Sequence, residues 1–138
     1  MSYYLGVENG HIFDRIGRFN PTGHKGVDVF AKPGSRVRVP LGWQLRIIGR
    51  SFNNEYKGQA WGWATIGGVR YGFVMAHFAA APAVGVYESG DKLGRVALGT
   101  RSPNGQLATP HIHIALSTGD IPPPGTVDPV KVFESNLP

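Results

Sequence analysis

The chain contains no cysteine. That excludes a disulfide framework, a thiolate zinc site and a cysteine nucleophile. Any metal must therefore be held by His, Asp or Glu. Long apolar runs are also missing, so no transmembrane helix is expected. The opening stretch, MSYYLGVENGHIFDR, lacks a basic segment followed by an apolar one. It does not read as a secretory signal, and action outside a cytoplasm would need another route of delivery. Acidic residues are few, 9 against 14 basic ones, for a formal charge of +5. A moderately basic surface suits an anionic polymer such as a cell wall. The basic residues are scattered rather than clustered in a run, so the signal for nucleic acid is weak.

What is present points to strands. The 138 residues suffice for one domain with a core, residues 1–138, and not for two. Twenty glycines and 11 prolines weigh against a helical bundle. Strands are expected at 27–30, 35–40, 43–49, 61–67, 69–78, 95–99 and 111–116. Each is rich in β-branched or aromatic residues and bounded by turn formers. Gly67 and Gly68 fit the turn of a hairpin. Asp128 followed by Pro129 predicts the start of one short helix. The expected fold is mostly β and antiparallel, with long loops at 50–60, 79–93 and 100–110.

The chemistry concentrates in five histidines. His111 and His113 lie one residue apart in "ATPHIHIAL", so on a strand they share a face. Ile112, Ile114 and Leu116 take the other face and read as core. Both imidazoles can then address one point, and spacing alone does not say which would bind a metal. His24 and Asp28, in "GHKGVDVF", would stand ~13 Å apart in an ideal strand. That is too far to share an ion with bonds of ~2.0–2.2 Å. A bend at Gly26 could bring them together. His77 lies within the apolar run "FVMAHF". Two His ligands and one Asp ligand make a hydrolytic zinc set that leaves a fourth position for water. Two further histidines would remain for proton transfer and for the oxyanion. His11 fits no pattern and reads as a surface or loop residue.

"HKGVD" (24–28), "MAHF" (75–78) and "HIH" (111–113) resemble, in order and spacing, the three motifs of the M23 zinc metallopeptidases. These are the lysostaphin-like and LytM-like peptidoglycan endopeptidases. "FAKPGSRVRVP", "YESGDKLGRVALGTRSPNGQLATPHIHI" and "VDP" (127–129) resemble further segments of that family, so the likeness spans about residues 20–133. The resemblance implies a lysostaphin-like fold, a duplicated hybrid motif with a groove walled by loops. It implies Zn2+ as cofactor, with His24, Asp28 and His113 as ligands. It makes His77 and His111 the catalytic histidines, acting on the water and on the tetrahedral intermediate. The partner would be bacterial peptidoglycan, cut in its stems or cross-bridges. Met75 and Phe78 replace the family's common Tyr and Leu, and Ala115 stands where many relatives carry a polar residue. Asn53 and Tyr56 are candidates for the groove.

Three readings compete. An active peptidoglycan endopeptidase explains all five positions. A catalytically inactive wall-binding or regulatory module would be expected to have lost a ligand, and none is missing here. A basic β-barrel nucleic-acid binder would use "WGW" and "RYGF" as stacking aromatics, but leaves the histidine set unexplained. The first reading is preferred, with no nucleic acid, no membrane insertion and a monomer outside any virion assembly. A bare catalytic domain of this kind resembles a bacteriophage lysin that acts on the wall from the periplasm or from outside.

Overall fold

A computed structural model describes residues 2–12, 17–99, 109–119 and 121–137. Ten strands and one helix follow in chain order: β1 (Tyr3–Tyr4), β2 (Val7–Glu8), β3 (Val27–Phe30), β4 (Arg36–Arg38), β5 (Trp43–Asn53), β6 (Lys57–Ile66), β7 (Val69–Phe78), β8 (Gly85–Tyr87), β9 (Lys92–Arg95), β10 (His111–Ser117) and α1 (Pro129–Ser135). They form two antiparallel sheets. The larger has the order β3-β10-β7-β6-β5-β8, and the smaller β1-β2-β4-β9.

Alternation along the strands divides the large sheet into two faces. Val27, Val29, Leu45, Ile47, Phe73, Met75, Ile112, Ile114 and Leu116 point one way and are fully buried. Leu5, Val7 and Val37 from the smaller sheet join the same cluster. One core therefore holds both sheets. The opposite face of the large sheet is left for polar and aromatic side chains, and Asp28, His111 and His113 fall on it by register.

The strands at 27–30, 69–78 and 111–116 lie where the sequence places them. Gly67 and Gly68 join β6 to β7 with φ of 57° and 80°, the pair of positive values a two-residue hairpin turn needs. Other expectations are corrected. The segment 50–60 is no long loop, because β5 and β6 run on as one hairpin to Asn53 and Lys57. Asn53 Oδ1 accepts from the N–H groups of Glu55 and Tyr56 at 3.0 and 2.6 Å, and this side-chain turn closes the chain tightly. The segment 79–93 contains β8 and the start of β9. The strand expected at 95–99 sits earlier, at Lys92–Arg95. Beyond it the chain leaves β4, and Val96 bridges Phe78 instead. The loop expected at 100–110 lies outside the described residues up to Ala108. Two-residue strands such as β1 and β2 are too short for alternation to reveal.

Helix α1 begins as expected. Asp128 is its N-cap and accepts from the N–H of Val130 at 2.9 Å, with Pro129 in the first turn. The helix buries Phe133, whose ring meets Tyr4 edge-on at 5.8 Å. No helix among the described residues is long and apolar enough to cross a membrane. Replacing Asp128 with Ala leaves the helix N-terminus uncapped. Urea denaturation should show a loss of about 1 kcal/mol.

Candidate metal centre and histidine pair

Three antiparallel strands position the centre. His113 on β10 pairs with Asp28 on β3, and on its other side with Ala76 on β7. His24 precedes β3. The segment before it turns back through Pro21–Gly23, and Asn20 and His24 bridge each other. The chain then bends into β3. The ~13 Å of an extended strand is thereby reduced, and His24 Nε2 lies 3.4 Å from Asp28 Oδ2.

Gly26 permits this through lack of bulk. A Cβ there would lie 2.4 Å from the carbonyl oxygen of Ile114 and 2.8 Å from the ring of His113. The segment can cross β10 closely only because residue 26 has no side chain.

Asp28 is the hub. His113 Nδ1 donates to its Oδ1 at 2.8 Å, and His111 Nε2 lies 3.7 Å from the same oxygen. Burial acts to raise the carboxyl pKa. The hydrogen bond from His113 and the charges of His111, His113 and His24 outweigh it, so the group falls below its ordinary value. The donor atoms of His24, Asp28 and His113 all lie within 4.8 Å of one another.

These residues suit a zinc ion. Two imidazoles and a carboxylate make a hydrolytic donor set. The 3.4 Å between His24 Nε2 and Asp28 Oδ2 is close to what two bonds of ~2.0–2.2 Å span in a tetrahedron. His24 Nδ1 donates to the carbonyl of Arg18 at 2.9 Å, which turns Nε2 toward Asp28 and fixes the tautomer a ligand needs.

Beside this centre stand His77 and His111, with ring centroids 4.5 Å apart and planes at 66°. His111 Nδ1 donates to the carbonyl of Thr109 at 2.7 Å, leaving Nε2 as its acceptor. His77 reaches this place by an irregularity. Simple alternation would put it on the core side with Met75. Instead Gly58 pairs with Phe78 and Gln59 with Ala76, so His77 is an extra residue in β7. Its φ is +76°, rare for a residue with a side chain. The bulge swings the imidazole to His111. The backbone is held there by two bonds: His77 N–H donates to the Tyr56 carbonyl at 2.9 Å, and its carbonyl accepts from Ala97 N–H at 3.0 Å.

The Tyr56 ring stacks at a tilt on His77, 6.3 Å between centroids. Burial pushes the His77 pKa down to about 4, aided by the charges of His111 and His113 and opposed by Asp28 and the Tyr56 carbonyl. His77 is neutral near pH 7.

The structure thus brings His24, Asp28, His113, His77 and His111 into one cluster. His11 is exposed and stays apart, bridging Phe30 by backbone bonds. Of the groove candidates, Tyr56 packs on His77, whereas Asn53 caps the hairpin turn. The carbonyls of Arg18 and Thr109 were not foreseen, because no side-chain pattern marks a backbone acceptor.

No protein-family model matches the sequence, and no curated protein does either. Solved structures do match. The chain superposes on the solution structure of lysostaphin with a TM-score of 0.63 at 20% identity, over 93% of this chain and 51% of that one. It superposes on the crystal structure of a Pseudomonas aeruginosa protein assigned to peptidase M23 with a TM-score of 0.59 at 18% identity, over 99% and 54% of the two chains. The chain spans about half the length of each. At such identities the likeness establishes the fold, which is lysostaphin-like.

Two outcomes follow from the geometry. Gly26→Ala must displace either the Ile114 backbone or the His113 ring. It should cost about 1–3 kcal/mol in urea denaturation and weaken metal uptake in a zinc titration. In the metal-free chain, an NMR titration should find the His77 ring neutral down to about pH 4. Its folded pKa lies below the unfolded value of ~6.5, so the unfolded chain binds more protons between the two. This group's share of stability is therefore complete above about pH 6.5 and is lost as pH falls toward 4.

Proposed function

We propose that the chain is a zinc-dependent endopeptidase that hydrolyses peptide bonds in bacterial peptidoglycan. The observation that carries this reading is the convergence of His24, Asp28 and His113 beside the His77–His111 pair. The lysostaphin-like fold supports it, since one similar structure is lysostaphin and another is assigned to peptidase M23.

His24 Nε2, Asp28 and His113 would hold the zinc ion, and His113 Nδ1 would give up its proton and its hydrogen bond to Asp28 to do so. When bound, zinc supplies a Lewis acid that polarises a carbonyl and makes water acidic near neutral pH. The remaining work falls to the chain's own groups. His111 Nε2 is available to take a proton, because Nδ1 is committed to the Thr109 carbonyl. His77 is neutral and half-buried, so it can donate one hydrogen bond to a developing oxyanion without adding a charge. Tyr56 holds that ring from behind. Phe30 packs against His111, 5.4 Å between centroids, and limits how far its ring can turn.

The same face of the sheet offers a floor for an extended peptide. Trp61 lies across Gly49, where an added Cβ would come within 2.4 Å of the indole. Trp63 carries the Arg70 guanidinium over its ring at 4.2 Å. In the setting we favour, the chain acts on the wall as a bacteriophage lysin, in the periplasm or outside the cell, as a monomer outside any virion assembly.

Purified murein and elemental analysis test the proposal together. The chain should carry about one zinc per molecule and solubilise murein, and a strong chelator should stop lysis until zinc is restored. His113→Ala should lose metal. His111→Ala should keep it and lose turnover by at least ~100-fold. A zinc-loaded chain that leaves murein intact would instead favour an inactive wall-binding module.

A further inference from the structure

The small sheet carries a feature that neither the core nor the histidine cluster uses. Arg36 and Arg38 on β4 stand directly opposite Arg95 and Lys92 on β9. Like charges in that relation destabilise an antiparallel pair. All four line one cavity of about 290 Å³ with Val37 and Gly94, and among the described residues no carboxylate lines it. Among the described residues, none of the four cations is ion-paired.

Neutral partners hold the cations in place. Arg95 Nη1 donates to the Gly34 carbonyl at 2.9 Å. The Arg38 guanidinium lies over the Tyr3 ring, 5.0 Å from its centroid, and its buried Nε has no hydrogen-bond partner. Of the acidic residues beside this ladder, Glu8 accepts from the backbone N–H of Arg36, and Asp91 from that of Glu88. A buried donor left unpaired costs stability, and so does the cross-strand repulsion. A bound anion would relieve the repulsion between the opposed cations.

The strand under the cavity leads to the histidines. Arg95 precedes Val96 and Ala97, and the N–H of Ala97 donates to the His77 carbonyl. The Arg95 carbonyl accepts from Ala79 N–H, just beyond β7. An anion held here would sit on the segment that braces His77.

We propose that this cavity binds the phosphodiester groups of an anionic cell-wall polymer and so docks the chain beside the peptidoglycan it cuts. The occupant, though not the existence of an anion site, rests on the proposed function. Four cations from two strands suit a phosphate group, which carries several acceptor oxygens for their donors. Nucleic acid fits less well. Among the described residues no aromatic side chain lines the cavity to stack a base, and the adjacent ring, Tyr3, lies under Arg38.

The test uses the whole chain and a soluble poly(glycerol phosphate), with single-stranded DNA and polygalacturonate of equal charge as comparators, at several salt concentrations. The native chain should bind the phosphate polymer most tightly, and inorganic phosphate should compete. The double variant Arg36→Gln, Lys92→Gln removes one cation from each opposed pair. It should lose at least about tenfold in affinity, and its log–log salt slope should fall by about one to two. Its melting temperature should be no lower than native, which shows that the loss is not unfolding. Zinc content and lysis of phosphate-free murein should match the native chain. If the native chain fails on that murein, the proposed function falls while the anion site stands. Equal binding by native and variant chains would overturn the site. Equal or tighter binding of DNA or polygalacturonate would overturn the wall phosphodiester as its occupant.

Discussion

His113 is held between two neighbours, with Asp28 across one ladder and Ala76 across the other. That double pairing fixes where Asp28, His111 and His113 can stand. In a strand, a slip of one residue exchanges the two faces. It would bring Ile112 and Ile114 to solvent and drive both histidines into the core. Ile112, Ile114 and Leu116 are fully buried against Val27, Val29 and Met75, and this burial opposes the slip. The carboxylate and imidazoles are thus aligned by apolar side chains on the other side of the sheet. Their own attractions add little that the register has not already decided.

Much of this was legible in the sequence, because alternation and turn chemistry are local. The pair His111 and His113 share a face for that reason, and Asp128 with Pro129 marked its helix for another. The bend at Gly26 was also open to inference, although its cause lay elsewhere. Gly26 is required by its distance from Ile114 and His113, and a distance across strands is not written in neighbouring residues. The tight turn at Asn53 was read as loop because polar residues obscured a strand pair that continues through them. His77 was legible as a residue and illegible as a position. Its place depends on a count of residues in two strands, which no single strand reveals. The backbone carbonyls that orient His24 and His111 belong to the same class of hidden information.

The electrostatics of the cluster follow from similar burial and unequal company. Asp28 has three imidazoles around it and remains ionised despite its burial. His77 has mainly other imidazoles as company and is more easily kept neutral. One group therefore offers negative charge for a cation, while its neighbour offers an uncharged hydrogen-bond donor. The two characters arise within one sheet face. The cationic ladder on the small sheet is a separate arrangement, joined to the cluster only through the backbone of β9 and the residues after it.

The bulge at His77 has a consequence for how the chain can change. It is a mismatch in length between β6 and β7, and it is defined by number, not by residue type. Point substitutions along that hairpin leave the count intact. A single inserted residue in β6 opposite the bulge would restore a regular ladder and turn the imbalance into a perfect fit. The sheet would gain hydrogen-bonding order, and His77 would rotate toward Met75, away from His111. For this chain a better-formed sheet is a worse arrangement of histidines, and lineages derived from it should tolerate spelling changes there far more readily than changes in length.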